Sequence, residues 1–116
     1  MHNRLYVDKV KITFVLPAAL QQDMKEKMIR DGYDLKGKSR WVAEAIESLL
    51  RMKSFPELVK LNDEMSGFGK VESILIPKEL KIRLDQAILT VRETYLMLEG
   101  VQSRLMRTAI VQRLIA

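Results

Sequence analysis

Lys9-Val10-Lys11-Ile12-Thr13-Phe14-Val15-Leu16-Pro17 alternates in character from residue to residue until its closing proline. Val10, Ile12, Phe14 and Leu16 fall on one side of a two-residue period; Lys9, Lys11, Thr13 and Val15 fall on the other. That alternation, rich in β-branched and aromatic residues, predicts a half-buried strand. Pro17 closes it, because proline cannot donate to a strand ladder and its fixed φ suits the first turn of a following helix. One strand is not a stable sheet, so this one requires a partner. Its outward side carries two lysines and a threonine, more than solubility demands of a short strand.

Working outward, residues 1–8 read as an N-terminal arm. Ala18 to Asp31 reads as a helix with Leu20, Met24 and Met28 at i, i+4, i+8 and Gly32 as its terminator. A short loop, Tyr33 to Lys38, leads to Ser39 as N-cap of a second helix running from Arg40 to about Lys53. Val42, Ala45, Ile46, Leu49 and Leu50 form its apolar stripe, and Arg51 and Lys53 suit the negative end of its dipole. Residues 54–69 read as a connector. Ser54 and Glu57 are spaced as a capping box for a short helix, Pro56 to Met65, with Leu58, Leu61 and Met65 on one side and Ser66-Gly67-Phe68-Gly69 breaking it.

The pattern then begins again. Val71 to Pro77 is a second strand ended by proline, and Lys78 to about Leu98 a helix with Leu80, Leu84, Ala87, Ile88, Val91, Tyr95 and Leu98 at helical spacing. Gly100 punctuates, Ser103 is placed to cap, and Arg104 to Ala116 is a last helix using Met106, Ala109, Ile110 and Leu114. Leu16-Pro17 with Leu20 matches Ile76-Pro77 with Leu80 sixty positions on; Ser39-Arg40 with Ala45-Ile46 matches Ser103-Arg104 with Ala109-Ile110 sixty-four on. The four-residue difference is about one extra helical turn. Residues 9–53 and 70–116 are therefore two copies of one strand–helix–helix unit, expected to share one core. Ile82, Leu89 and Leu96 form a second apolar seam, open to another subunit, to residues 56–65 or to the core, with packing on the connector favoured over oligomerisation.

Composition bounds the chemistry. With 116 residues the chain is one compact domain. It has no cysteine, and its one histidine, His2, lies in the arm. Disulfides, thiolate metal sites and cysteine catalysis are thereby excluded. No Ser/His/Asp set, metal-ligand spacing or H-E-x-x-H motif exists, so no enzyme activity, cofactor or small-molecule substrate is expected. No run approaches eighteen apolar residues, and a chain without membrane attachment in the cytoplasm is expected. The net charge of +5 is uneven, with +4 over residues 1–53, −2 over 54–69 and +3 over 70–116. Two basic ends around an acidic middle suit a polyanion.

Strand, proline, helix, Gly/Ser-bearing turn and second helix together resemble the ribbon-helix-helix DNA-binding proteins. Lys11-Ile12-Thr13 before an apolar-x-apolar-Pro ending is similar to the ribbon of the methionine repressor and Arc type, and Gly37-Lys38-Ser39-Arg40 resembles the family's turn. The likeness is good over residues 9–52 and weaker over 70–115; the tandem layout resembles TraY-type relaxosome proteins of the F plasmid in architecture alone. It implies a mainly α fold with a two-stranded antiparallel ribbon, formed by two ribbon-helix-helix repeats as a single-chain pseudo-dimer. The implied function is sequence-specific binding of double-stranded DNA, by a prokaryotic, nucleoid-associated transcriptional regulator or plasmid accessory protein. Pairing within the chain and between chains are both open, since the residues between Lys53 and Val71 reach either way, and so is self-association on DNA.

In that reading Lys9, Lys11, Thr13, Val15 and Ser73 contact bases, Val15 by its apolar surface against a thymine methyl. Lys38, Ser39, Arg40, Gln102, Ser103 and Arg104 contact phosphates at the starts of the two second helices. The second strand departs from the pattern. Its outward residues are Val71, Ser73 and Leu75, with Glu72 inward, so one strand is basic and the other apolar. That leaves open an alternative, a degenerate ribbon used for protein–protein contact without DNA.

Gly32-Tyr33-Asp34-Leu35-Lys36-Gly37-Lys38-Ser39 also matches G-x-x-x-x-G-K-[ST]. A nucleotide-binding loop needs a buried strand before its first glycine. Residues 25–31 instead read as a charged amphipathic helix, so the motif is set aside.

Overall fold

The computed structural model describes residues 8–62 and 69–116. Residues 1–7 of the arm, with His2, lie outside the described residues, as do connector residues 63–68, with Met65 and the Ser66-Gly67-Phe68 break. Among the described residues the order is β1 (Lys9–Pro17), α1 (Ala18–Arg30), a 3-10 turn (Leu35–Gly37), α2 (Lys38–Leu50), α3 (Phe55–Leu61), β2 (Gly69–Pro77), α4 (Lys78–Thr94) and α5 (Val101–Ile115). The chain is mostly helical, with one two-stranded antiparallel sheet. No helix among the described residues is long and apolar enough to cross a membrane.

β1 finds its partner within its own chain. The register sets Lys11 opposite Leu75, Thr13 opposite Ser73 and Val15 opposite Val71. Thr13 and Ser73, at the centre of this register, are the two residues that the sixty-position offset makes equivalent. Ile12, Phe14, Leu16, Ile74 and Ile76 turn inward and are buried. Pro17 and Pro77 leave the sheet with nearly identical backbones, φ −60° and −58° with ψ 144° in both, and serve as the N-caps of α1 and α4. Proline fits there because the amide it lacks would have no partner in the first turn.

A ribbon this narrow buries only one face, so the helices must close the other side of the core. Met24 and Met28 of α1 do so, with Val42, Ala45, Ile46 and Leu49 of α2, Leu80, Leu84, Ala87 and Val91 of α4, and Leu105, Met106, Ala109 and Ile110 of α5. α2 and α5 pack on each other, and each lies on the strand of the other half, α2 on β2 and α5 on β1. α1 likewise touches α5, and α2 touches α4. Neither half closes a core alone.

Gly32 ends α1 as the spacing predicts. At φ +87° it allows its own amide to reach Ile29 O (3.0 Å) and that of Tyr33 to reach Met28 O (2.8 Å), the paired bonds of a Schellman motif. What precedes Gly32 is thus a helix, not the strand of a nucleotide-binding loop. The 3-10 turn that follows runs directly into α2, which therefore starts before Ser39. Ser39 lies inside the first turn, and Gly37 holds the N-cap position. In the second half Gly100, at φ +60°, is the N-cap of α5, and Ser103 is the third residue of the helix, not its cap. Neither serine caps its helix.

Three further expectations are corrected. α4 stops at Thr94, because Tyr95 (φ −127°, ψ 82°) leaves the helix and the amide of Leu98 turns back to Tyr95 O (3.1 Å). Leu98 still reaches the core, which is why its helical spacing misleads. At α3, Ser54 occupies the N-cap position but makes no side-chain cap bond, and Val59 is the buried residue while Leu61 is exposed. The seam of Ile82, Leu89 and Leu96 does not pack on the described part of the connector: all three are exposed, Leu96 at 84%.

Candidate nucleic-acid interface

The outward side of the ribbon consists of five rungs: Lys9–Pro77, Lys11–Leu75, Thr13–Ser73, Val15–Val71 and Pro17–Gly69. Strand alternation places these side chains opposite the core. Lys9, Lys11 and Thr13 are exposed, Val15 and Ser73 half-buried, and no carboxylate occurs on the rungs. At the centre, Thr13 Oγ1 and Ser73 Oγ are hydrogen-bonded at 3.2 Å. All five expected base-contacting residues share this one face.

The expected phosphate contacts are placed differently. Ser39 Oγ accepts from the amide of Leu75 (3.1 Å), and Ser103 Oγ accepts from the amide of Val15 (3.3 Å). Leu75 and Val15 are equivalent in the two halves, so each serine satisfies the same edge amide of the other strand. Gln102 Nε2 donates to Thr13 O (3.0 Å), and Arg107 Nη1 to Val15 O (3.2 Å). The starts of α2 and α5 thereby cover the two edges of the ribbon, which would otherwise present unpaired backbone groups. Arg104 turns away to Asn62 O (2.9 Å) and Lys60 O (3.3 Å), carbonyls at the end of α3, where a cation suits the helix dipole. Arg40 is exposed and stacks its guanidinium on the Tyr33 ring, 4.6 Å from the centroid. Lys38 donates to Glu72 at 2.7 Å.

Glu72 explains that last contact. It occupies an inward position of β2 and is 5% exposed. A buried carboxylate needs a charge partner and hydrogen bonds, and Lys38 and Gln21 both donate to it. Burial alone would raise its pKa, but the bonds from Lys38 and Gln21, with the charges of Lys38 and Lys25, together hold it below its ordinary value of 4.5. The sequence places Glu72 inward; it gives no sign that Lys38 and Gln21 converge on it from elsewhere.

A second polar cluster ties the last helix to the first half. Arg113 Nη1 donates to Trp41 O (2.7 Å) and Glu44 (3.0 Å), and its guanidinium stacks on the Trp41 ring, 4.6 Å from the centroid. Trp41 Nε1 donates to Asp31 (3.0 Å), and Tyr33 donates to Glu44. The indole bond, with Lys27 beside it, holds Asp31 below its ordinary 3.8, and the Tyr33 bond and Arg113 hold Glu44 below 4.5.

These three carboxyls set the acid limb of stability. Above about pH 4.5 their contribution is complete. Below it the unfolded chain takes up protons first, and stability declines until the folded groups are protonated too. Urea midpoints followed from about pH 6 to about pH 3 should fall along this limb, and Glu72→Gln should flatten part of the fall. An unchanged limb in the variant would mean that Glu72 carries no such linkage.

Among the described residues no group of three or more His, Cys, Asp or Glu side chains is arranged to hold a metal ion. No protein-family model, curated protein or solved structure matches the chain.

Proposed function

We propose that the chain is a sequence-specific reader of double-stranded DNA, built from two tandem ribbon-helix-helix repeats that act as a single-chain pseudo-dimer. One observation carries the reading: the ribbon turns one face into the core and presents on the other Lys9, Lys11 and Thr13 with no carboxylate among them. A two-stranded antiparallel ribbon fits the major groove, where its outward side chains meet base edges. The register centred on Thr13 and Ser73, and the reciprocal bonds of Ser39 and Ser103, support treating the halves as interlocked equivalents.

Because Lys38, Ser39, Gln102, Ser103 and Arg104 are engaged within the protein, Arg40 and the backbone at the starts of α2 and α5 take the larger share of phosphate contact. The biological role in this reading is transcriptional regulation or service as an accessory factor of a mobile element. The exposed Val71 and Leu75 favour a second reading, a ribbon that binds another protein. Salt separates the two. Duplex affinity should fall with a log–log slope of roughly −0.9 per neutralised phosphate, hence by one to several powers of ten over a fourfold rise in salt for several contacts. A salt-independent slope would remove the DNA reading.

A further inference from the structure

The two ends of the ribbon face differ in chemistry. On one side of the Thr13–Ser73 rung stands Lys11 beside Leu75, with Lys9 one rung beyond; on the other stands Val15 beside Val71. Val71 is 69% exposed and Leu75 49%. Lys11 and Val71 occupy equivalent places in the two halves, so the second half has an exposed valine where the first has a reading lysine. Exposed β-branched residues on a two-stranded ribbon are an aggregation liability, and Val71 lies outside the core, which gives it no packing reason to be apolar. In the major groove its chemistry matches the 5-methyl group of thymine, while lysine matches the O6 and N7 acceptors of guanine.

We propose that the chain reads an asymmetric duplex, with guanine under the Lys9 and Lys11 end and thymine methyl groups under the Val15 and Val71 end. The inference rests on the DNA reading above and adds the polarity of the site and a specificity role for Val71. The occupant of the apolar end is DNA because the same face carries two exposed lysines and no carboxylate, complementary to a polyanion.

The test uses the full chain and a duplex it selects from a random pool. Thymines are replaced by deoxyuridine, which lacks the 5-methyl group, in one half of the site at a time. In the half under Val71, binding should weaken about fourfold per contacted methyl, the equivalent of ~0.8 kcal/mol; in the other half the change should be smaller. Replacing guanine by 7-deazaguanine should weaken binding at least about fivefold in the lysine half only. Val71→Lys, at an exposed position that leaves the core intact, should select guanine in both halves. Undiminished affinity with deoxyuridine throughout, while the duplex still binds specifically, overturns the proposal and leaves DNA reading standing. Failure to select any duplex overturns both. Sedimentation in which Val71→Lys converts a DNA-free dimer into a monomer would assign the apolar end to a second copy and overturn the proposal.

Discussion

Replacing Lys11 and Thr13 together by alanine is expected to abolish discrimination between specific and random DNA while leaving the fold in place. Both side chains are on the outward face, so the core of Ile12, Phe14, Leu16, Ile74 and Ile76 is untouched. The structural loss is the single Thr13–Ser73 hydroxyl bond, a cross-strand pair contributing about 0.2–1 kcal/mol. The functional loss is larger, because a well-placed contact to a base edge contributes about 1–3 kcal/mol of discrimination. Two such contacts multiply to a factor of about thirty or more. Competition binding against random duplex measures the functional loss, and denaturant melting the structural one. A double variant that keeps its preference for the same site would show that the ribbon is not the reading element.

Trp41→Ala is expected to have the largest effect on stability. Trp41 is fully buried, and truncating a buried tryptophan costs about 3–5 kcal/mol, against a total of about 5–15 kcal/mol for an ordinary domain. It would also remove the indole bond to Asp31 and the ring under Arg113, loosening α5 from α1 and α2 at one point. Trp41→Phe keeps one six-membered ring but loses the N–H bond and part of the indole volume, so its loss should be smaller, about 1–3 kcal/mol. Urea denaturation followed by far-UV circular dichroism measures both, since Trp41 is the one tryptophan and fluorescence disappears with it. A loss below about 1 kcal/mol for Trp41→Ala would mean that the core does not depend on this residue.

Both strands were legible because their alternation ends in proline, a combination few other elements share. The repeat was legible from the recurrence of that ending with the Ser-Arg and Ala-Ile pairs. Whether the strands pair within the chain was not, since a connector of that length permits either; the structure pairs β1 with β2 of the same chain. Trp41 escaped because α2 is covered by α4, α5 and β2, so its buried face is wider than the stripe beginning at Val42 suggests. Ser39 and Ser103 read locally as caps, yet their acceptor oxygens serve amides 36 and 88 positions away, a distance no local pattern reports. Their matched placement in the two halves was the one available clue. The ion pair of Lys38 with Glu72, 34 positions apart, was hidden for the same reason. The outward-facing set follows from strand alternation and is therefore readable; the expected phosphate set depends on side chains that tertiary packing has already claimed.

Selection of bound duplexes from a random pool at moderate salt is the decisive measurement for DNA reading by the ribbon. One enriched motif without inverted-repeat symmetry is expected, occupied by a single chain and lost when Lys11 and Thr13 are replaced. A pool that shows no enrichment over repeated rounds would contradict it.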